Sequence, residues 1–208
     1  MNRRRAMMGA SGSGSGIQPI FHVPLTSDGI DIINGIQPSE GNTGGFSSEG
    51  ALFSTILQYL RYLNLPISFS AVQPFSIEYD IKNTYSNPHG GHQLAWEFGT
   101  HSSNQCLFWY SPRANLREWS LAGANWQFLQ VFAMPGEINL TNWRHECITY
   151  DGNGIFTLYL NGVLFSSASV SFPPLSPNNA LNIGAGKVNA DNFNGYIKDL
   201  KIYNDVIY

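Results

Sequence analysis

The chain has 208 residues, of which 43% are hydrophobic and 13% aromatic, enough apolar material for one sizeable core and too much for a disordered chain. Charged residues are only 12%, against 21 glycines, a balance that favours many strands and turns over long salt-bridged helices. A net charge of −3 excludes a chain steered as a whole toward nucleic-acid phosphates; Arg3, Arg4 and Arg5 are a local exception.

After these arginines, Ala6-Met7-Met8-Gly9 leads directly into ASGSGSG over residues 10–16. A secretory signal would need an apolar run of roughly 7 to 15 residues there, so ordinary secretion is not expected. The Gly/Ser composition predicts a flexible arm over residues 1–16, basic at its start, through which an assembly partner could hold the chain. No stretch approaches the roughly 20 apolar residues of a membrane span. From Ile17 to Tyr208 there is no second linker, charge run or repeat, so one folded domain over 17–208 is expected.

Leu52 to Leu63 is apolar at irregular spacing and reads as a strand with a turn. Phe75 to Lys82 alternates strictly, with Phe75, Ile77, Tyr79 and Ile81 on one face and Ser76, Glu78, Asp80 and Lys82 on the other, the pattern of a half-buried antiparallel strand. His89 and His92 share a loop without a third ligand at zinc spacing, and read as loop histidines. Cys106 and Cys147 lie in no CxxC or metal-ligand spacing; two buried thiols or one bridge are both compatible with them.

Residues 104–132 are rich in rings and in hydrogen-bonding side chains. A sugar presents an apolar pyranose face to aromatic rings and its hydroxyls to Asn, Asp, Gln and Arg. Trp126 and Phe128 lie in a strand-like run and read as core, whereas Trp119 follows Arg117-Glu118 in a polar segment. The candidate ligand-binding set is therefore Trp119, Tyr110, Arg117 and Asn125, with core or edge packing an equal alternative for the rings. Glu97 and Glu118 are isolated carboxylates.

Further on, Phe156 to Phe165 reads as a hairpin, because Asn161-Gly162 accepts the positive φ angles of a tight type I′ turn. The two-residue loop would set Leu160 against Val163 and Leu158 against Phe165, with Phe156, Leu158, Leu160, Val163 and Phe165 on one apolar face. The last strand, Phe193 to Tyr203, changes phase between Ile197 and Leu200, which predicts a bulge near Asp199.

Trp143-x-His145, Tyr150-Asp151-Gly152, Tyr159-x-Asn161-Gly162, Ile183-Gly184 and Phe193-x-Gly195-x-Ile197-x-Asp199-Leu200-x-Ile202-Tyr203 follow one another in order. The set resembles the LamG-like jelly rolls of the concanavalin A-like lectin/glucanase superfamily, with Phe75-Ser76-Ile77-Glu78 as its mid-domain strand and His22-x-Pro24-Leu25 as its opening segment. The resemblance implies an all-β antiparallel sandwich. Glu146 departs from it, standing where the family has an apolar residue.

The glucanases of this superfamily carry Glu-x-Asp-x-x-Glu, and the matching stretch here is Glu78-Tyr-Asp80-Ile-Lys-Asn83. Asn83 cannot donate a proton as a carboxylic acid does, and retaining hydrolysis needs a carboxyl pair, so no catalytic residue is assigned and no enzyme is expected. Asp199 matches an aspartate that binds a structural Ca²⁺ in the glucanase branch; the same residue could instead serve the bulge. The expected function is a non-catalytic lectin-like module for a glycan or surface glycoprotein, within an extracellular or virion assembly. A purely structural virion or phage decoration protein is the alternative, with a glycoside hydrolase behind both.

Overall fold

The computed structural model describes residues 16–54, 58–67, 72–84, 95–98, 141–169, 179–184 and 193–208 in full, and three further strands, 107–112, 116–122 and 130–133, by their backbone. Among the described residues there are strands and no helix. They are β1 (Phe21–Val23), β2 (Glu40–Asn42), β3 (Phe46–Ser47), β4 (Gly50–Phe53), β5 (Tyr59–Tyr62), β6 (Phe75–Asn83), β7 (Trp96–Phe98) and β8 (Leu107–Pro112). There follow β9 (Leu116–Ala122), β10 (Gln130–Ala133), β11 (Arg144–Tyr150), β12 (Ile155–Leu160), β13 (Val163–Ser169), β14 (Leu181–Ile183) and β15 (Gly195–Tyr203).

They form two antiparallel sheets. One has eight strands in the order β13-β12-β11-β6-β15-β4-β3, with β1 also paired to β15; the other has seven, in the order β10-β9-β8-β7-β14-β5-β2. The all-β sandwich expected from the strand and turn signals is the fold observed. The first strand closes on the last, Phe21 opposite Ile202 and Val23 opposite Leu200.

The core lies between the sheets and follows from alternation. Phe75, Ile77, Tyr79 and Ile81 of β6 are all fully buried, against Leu60, Tyr62, Trp96, Phe98, Leu181 and Ile183 of the seven-stranded sheet. Each such apolar side chain contributes about 1.5–3 kcal/mol by leaving water. Edge-to-face pairs join the layers: Phe21 to Tyr62 at 5.2 Å between ring centroids and Phe75 to Phe98 at 5.8 Å. The Tyr62 hydroxyl donates to the Gly29 carbonyl at 2.7 Å, which satisfies its polar end inside the core.

Three expectations are modified. Leu52 to Leu63 is not one strand with a turn, because β4 joins the eight-stranded sheet and β5 the other. Ser76 and Glu78 are buried although they belong to the polar face of β6, since the C-terminal residues cross them: Ser76 Oγ donates to the Asp205 carbonyl at 2.7 Å and Tyr203 to Glu78.

In the hairpin, Asn161 and Gly162 do take φ of 50° and 79°, and Leu160 does pair with Val163. A bulge then sets Leu158 opposite Ser166 and leaves Phe165 as the extra residue, while Val163, at the tip of this edge strand, is exposed. The phase change in β15 is the bulge expected: its register to β6 shifts between Lys198 and Lys201, with Asp199 at φ 51°. Its N-terminal half pairs with β4 and its C-terminal half with β1.

Candidate functional site

The outer face of the eight-stranded sheet carries the polar side chains of β6, β11 and β15, and their register decides which meet. Lys201 Nζ donates to Asp199 Oδ2 at 2.8 Å and to Glu78 Oε1 at 3.2 Å. The Tyr203 hydroxyl donates to Glu78 Oε1 at 2.7 Å, and the ring of His145 lies 3.4 Å from Glu78 Oε2 and 3.0 Å from Asp80 Oδ1. Three strands are thus laced by alternating charge.

Burial disfavours charge on both partners of this ladder, and pairing outweighs it. Hydrogen bonds to Asp80 and Glu78 raise the His145 pKa to about 9, and hydrogen bonds from His145 and Tyr203, with the charge of Lys201, lower that of Glu78 to about 2. The raised His145 value contributes stability that is complete below about pH 6.5 and lost as pH rises through about 9. The lowered Glu78 value contributes stability that is complete above about pH 4.5 and lost as pH falls through about 2. Urea midpoints should therefore fall between pH 6 and pH 9.5 by the equivalent of roughly 1–2 kcal/mol, after discounting for partial exposure. His145→Ala should flatten that fall, and an unchanged slope in the variant would disprove the assignment.

The same ladder accounts for the glucanase-like carboxylates. Glu78 and Asp80 share one imidazole, and Asn83 is buried on the other side of the sheet, its Oδ1 accepting from Arg144 at 2.9 Å. Asp199 accepts at 2.7 Å from His22 Nε2 on one oxygen and from Lys201 on the other, and its backbone N–H donates to the Pro24 carbonyl at 2.9 Å. Both Asp199 oxygens thus face N–H donors, one of them the Lys201 ammonium, an arrangement that suits the bulge and is unfavourable for a Ca²⁺, which takes about six to eight oxygens. Among the described residues no group of three or more His, Cys, Asp and Glu is placed to hold a metal. Added Ca²⁺ should leave the melting temperature of the wild type unchanged; a rise that Asp199→Ala abolishes would restore the metal site.

Beyond this ladder, at the end of β6 where Lys82 ends the alternation, the outer face becomes aromatic. Tyr196 pairs with Leu52 on one side and Lys82 on the other, and Trp143, the residue before β11, comes alongside. The Trp143 and Tyr196 rings are half-buried, 6.5 Å apart between centroids. Lys198 Nζ stands 4.1 Å over the Trp143 ring, and Lys82 Nζ stands 5.6 Å from Trp143 and 5.4 Å from Tyr196. Exposed Glu49 accepts from Lys82 at 3.2 Å and from the Trp143 indole N–H at 3.4 Å, and these bonds lower its pKa. Two rings flanked by ammoniums and a carboxylate make a platform able to stack on a pyranose and bond its hydroxyls.

Of the ligand-binding residues proposed from sequence, Tyr110, Arg117 and Trp119 lie on strands of the other sheet. Tyr110 of β8 and Trp119 of β9 are opposite each other, in one register row with the buried Trp96, and Arg117 pairs with Pro112 and Phe132. Their side chains, and Asn125, His89, His92 and Cys106 altogether, lie outside the described residues. The neighbouring row holds Arg61, Asn182 and Glu97, continuing through Trp109, and the Asn182 amide donates to buried Glu97 at 3.0 Å. Glu97, isolated in sequence, is thus part of a polar row. Cys147 is a buried free thiol whose pKa burial raises.

A family model for the concanavalin A-like lectin/glucanases superfamily, Laminin_G_3, matches residues 61–207. Among curated proteins no sequence matches the chain. The solved binding domain of botulinum neurotoxin serotype D is similar at TM-score 0.68 and 15% identity over 93% of this chain, which spans 49% of that one. Domain 4 of AbnA, an extracellular arabinanase from Geobacillus stearothermophilus solved with arabinotriose, is similar at TM-score 0.62 and 18% identity over 91% of this chain and 93% of that one. The heptameric SAP-like pentraxin of Limulus polyphemus is similar at TM-score 0.56 and 19% identity over 74% of this chain and 75% of that one.

Proposed function

The chain belongs to the concanavalin A-like lectin/glucanases superfamily, and on that premise we propose that it is a non-catalytic, lectin-like module that binds carbohydrate. The observation that carries the reading is the platform of Trp143 and Tyr196, two half-buried rings on a sheet face with polar groups at their margin. A rigid sheet holds the rings in place before a ligand arrives, which lowers the ordering cost of binding. The arabinanase domain, similar over nearly its whole length, was solved with a bound trisaccharide, in keeping with a sugar as ligand. The non-catalytic part is supported by the ladder: Glu78 and Asp80 are tied to His145, and the third position of the glucanase motif is Asn83.

Trp119, Tyr110, Arg117 and Asn125 remain a second proposed contact set. A glycan array separates the two. Wild type should retain a subset of sugars, Trp143→Ala should lose at least about tenfold in affinity for them, and Trp119→Ala should not. Retention by Trp143→Ala and loss by Trp119→Ala would move the site to the other sheet, and an array with no retained sugar would end the carbohydrate reading.

A further inference from the structure

We propose that the platform selects acidic sugars, pyranoses carrying a carboxylate or sulfate, with the anionic group received by Lys198 and Lys82 and the ring carbons by Trp143 and Tyr196. This rests on the sugar-binding reading above and adds the ligand's charge. Lys198 carries the argument. Its ammonium is held 4.1 Å over the indole of Trp143, and among the described residues no carboxylate lies within ion-pairing distance of it. The nearest acidic residue in register is Asp80, opposite Lys198 on β6, and its carboxylate is turned to His145 at 3.0 Å.

Lys82 has one anionic partner, Glu49, whose side chain is 54% exposed and which also holds the Trp143 indole N–H. The platform therefore sets two ammoniums against one carboxylate, a local positive site on a chain of net charge −3. A neutral sugar stacked on Trp143 would strip water from the Lys198 ammonium without supplying a counter-charge, which costs binding energy. An anionic substituent turns the same desolvation into a charge-assisted hydrogen bond. Cation–π contact with the ring face holds the ammonium in place and leaves its N–H groups to the ligand.

The test is titration of the full chain with polygalacturonate, dextran sulfate, neutral dextran and a single-stranded DNA, at about 50 and about 200 mM salt. Either acidic polysaccharide should bind at least about tenfold tighter than dextran, more weakly at the higher salt, and whichever does identifies the anion. Lys198→Glu should remove at least about tenfold of that affinity. Lys82→Met, which leaves the backbone and charge ladder untouched, should also weaken it, and both variants should melt within a few degrees of wild type. Neutral sugars bound as tightly as acidic ones, DNA bound as tightly as the acidic polysaccharides, or folded variants with unchanged affinity would overturn the proposal. In the first case carbohydrate binding would still stand; if no saccharide binds at all, both readings fall.

Discussion

Arg144→Met is expected to cost about 3–5 kcal/mol of folding stability, read as the shift of a urea or guanidinium transition. Both Arg144 and Glu146 are buried on the core side of β11, with Arg144 Nε donating to Glu146 Oε1 at 2.6 Å. The second Glu146 oxygen accepts from the Tyr79 hydroxyl at 3.1 Å, and another guanidinium nitrogen donates to Asn83 Oδ1 at 2.9 Å. Removing the guanidinium takes from the buried Glu146 carboxylate its charge-assisted bond at 2.6 Å, which costs far more than the pair contributes when intact. The double variant Arg144→Met/Glu146→Leu should consequently be more stable than Arg144→Met alone, since neither charge of the pair is then left in the interior. A single-variant loss below about 1 kcal/mol would mean that the pair is solvated and the network is not a core feature.

Gly195→Ala should be of similar severity, at or above the upper end of the roughly 1–3 kcal/mol that overpacking usually costs. Gly195 pairs with Asn83 of β6 on one side and Phe53 of β4 on the other, in the middle of the eight-stranded sheet. A Cβ there would lie 2.1 Å from the Lys82 carbonyl oxygen and 2.8 Å from Asn83 Cα. Those are backbone atoms, so no side-chain rotation relieves the clash, and β15 would have to leave β6 locally. A wild-type-like melting temperature for the variant would contradict this packing.

These two positions show how far the sequence could be read. Gly195 was visible as part of a motif, and the close approach of β6 is its physical reason. Glu146 was visible as a departure from the resembled family, but its explanation needs Arg144, Tyr79 and Asn83 brought together from two strands. Local alternation was enough to locate β6, the hairpin turn and the bulge at Asp199, since period-two patterning and turn chemistry act within a few residues. It could not tell that β4 and β5 belong to opposite sheets, a matter of long-range pairing.

The candidate site was harder to see for the same reason. Density of aromatic residues pointed to 104–132, whereas the platform draws Trp143 from the start of β11, Tyr196 and Lys198 from β15, and Lys82 from β6. The available signal was modest: the outward phase of β6 ends in Lys82, and Tyr196 and Lys198 flank the buried Ile197. Only the antiparallel register shows that these phases converge.

The most direct test of a sugar-binding platform is the indole N–H region of a ¹H–¹⁵N spectrum. The chain has five tryptophans, and Trp143→Phe identifies the resonance of Trp143. On titration with a saccharide retained by the array, the Trp143 indole, which donates to Glu49, should shift in proportion to saturation while the fully buried Trp96 stays fixed. A saturating saccharide that leaves the Trp143 resonance in place and moves another indole instead would contradict the platform.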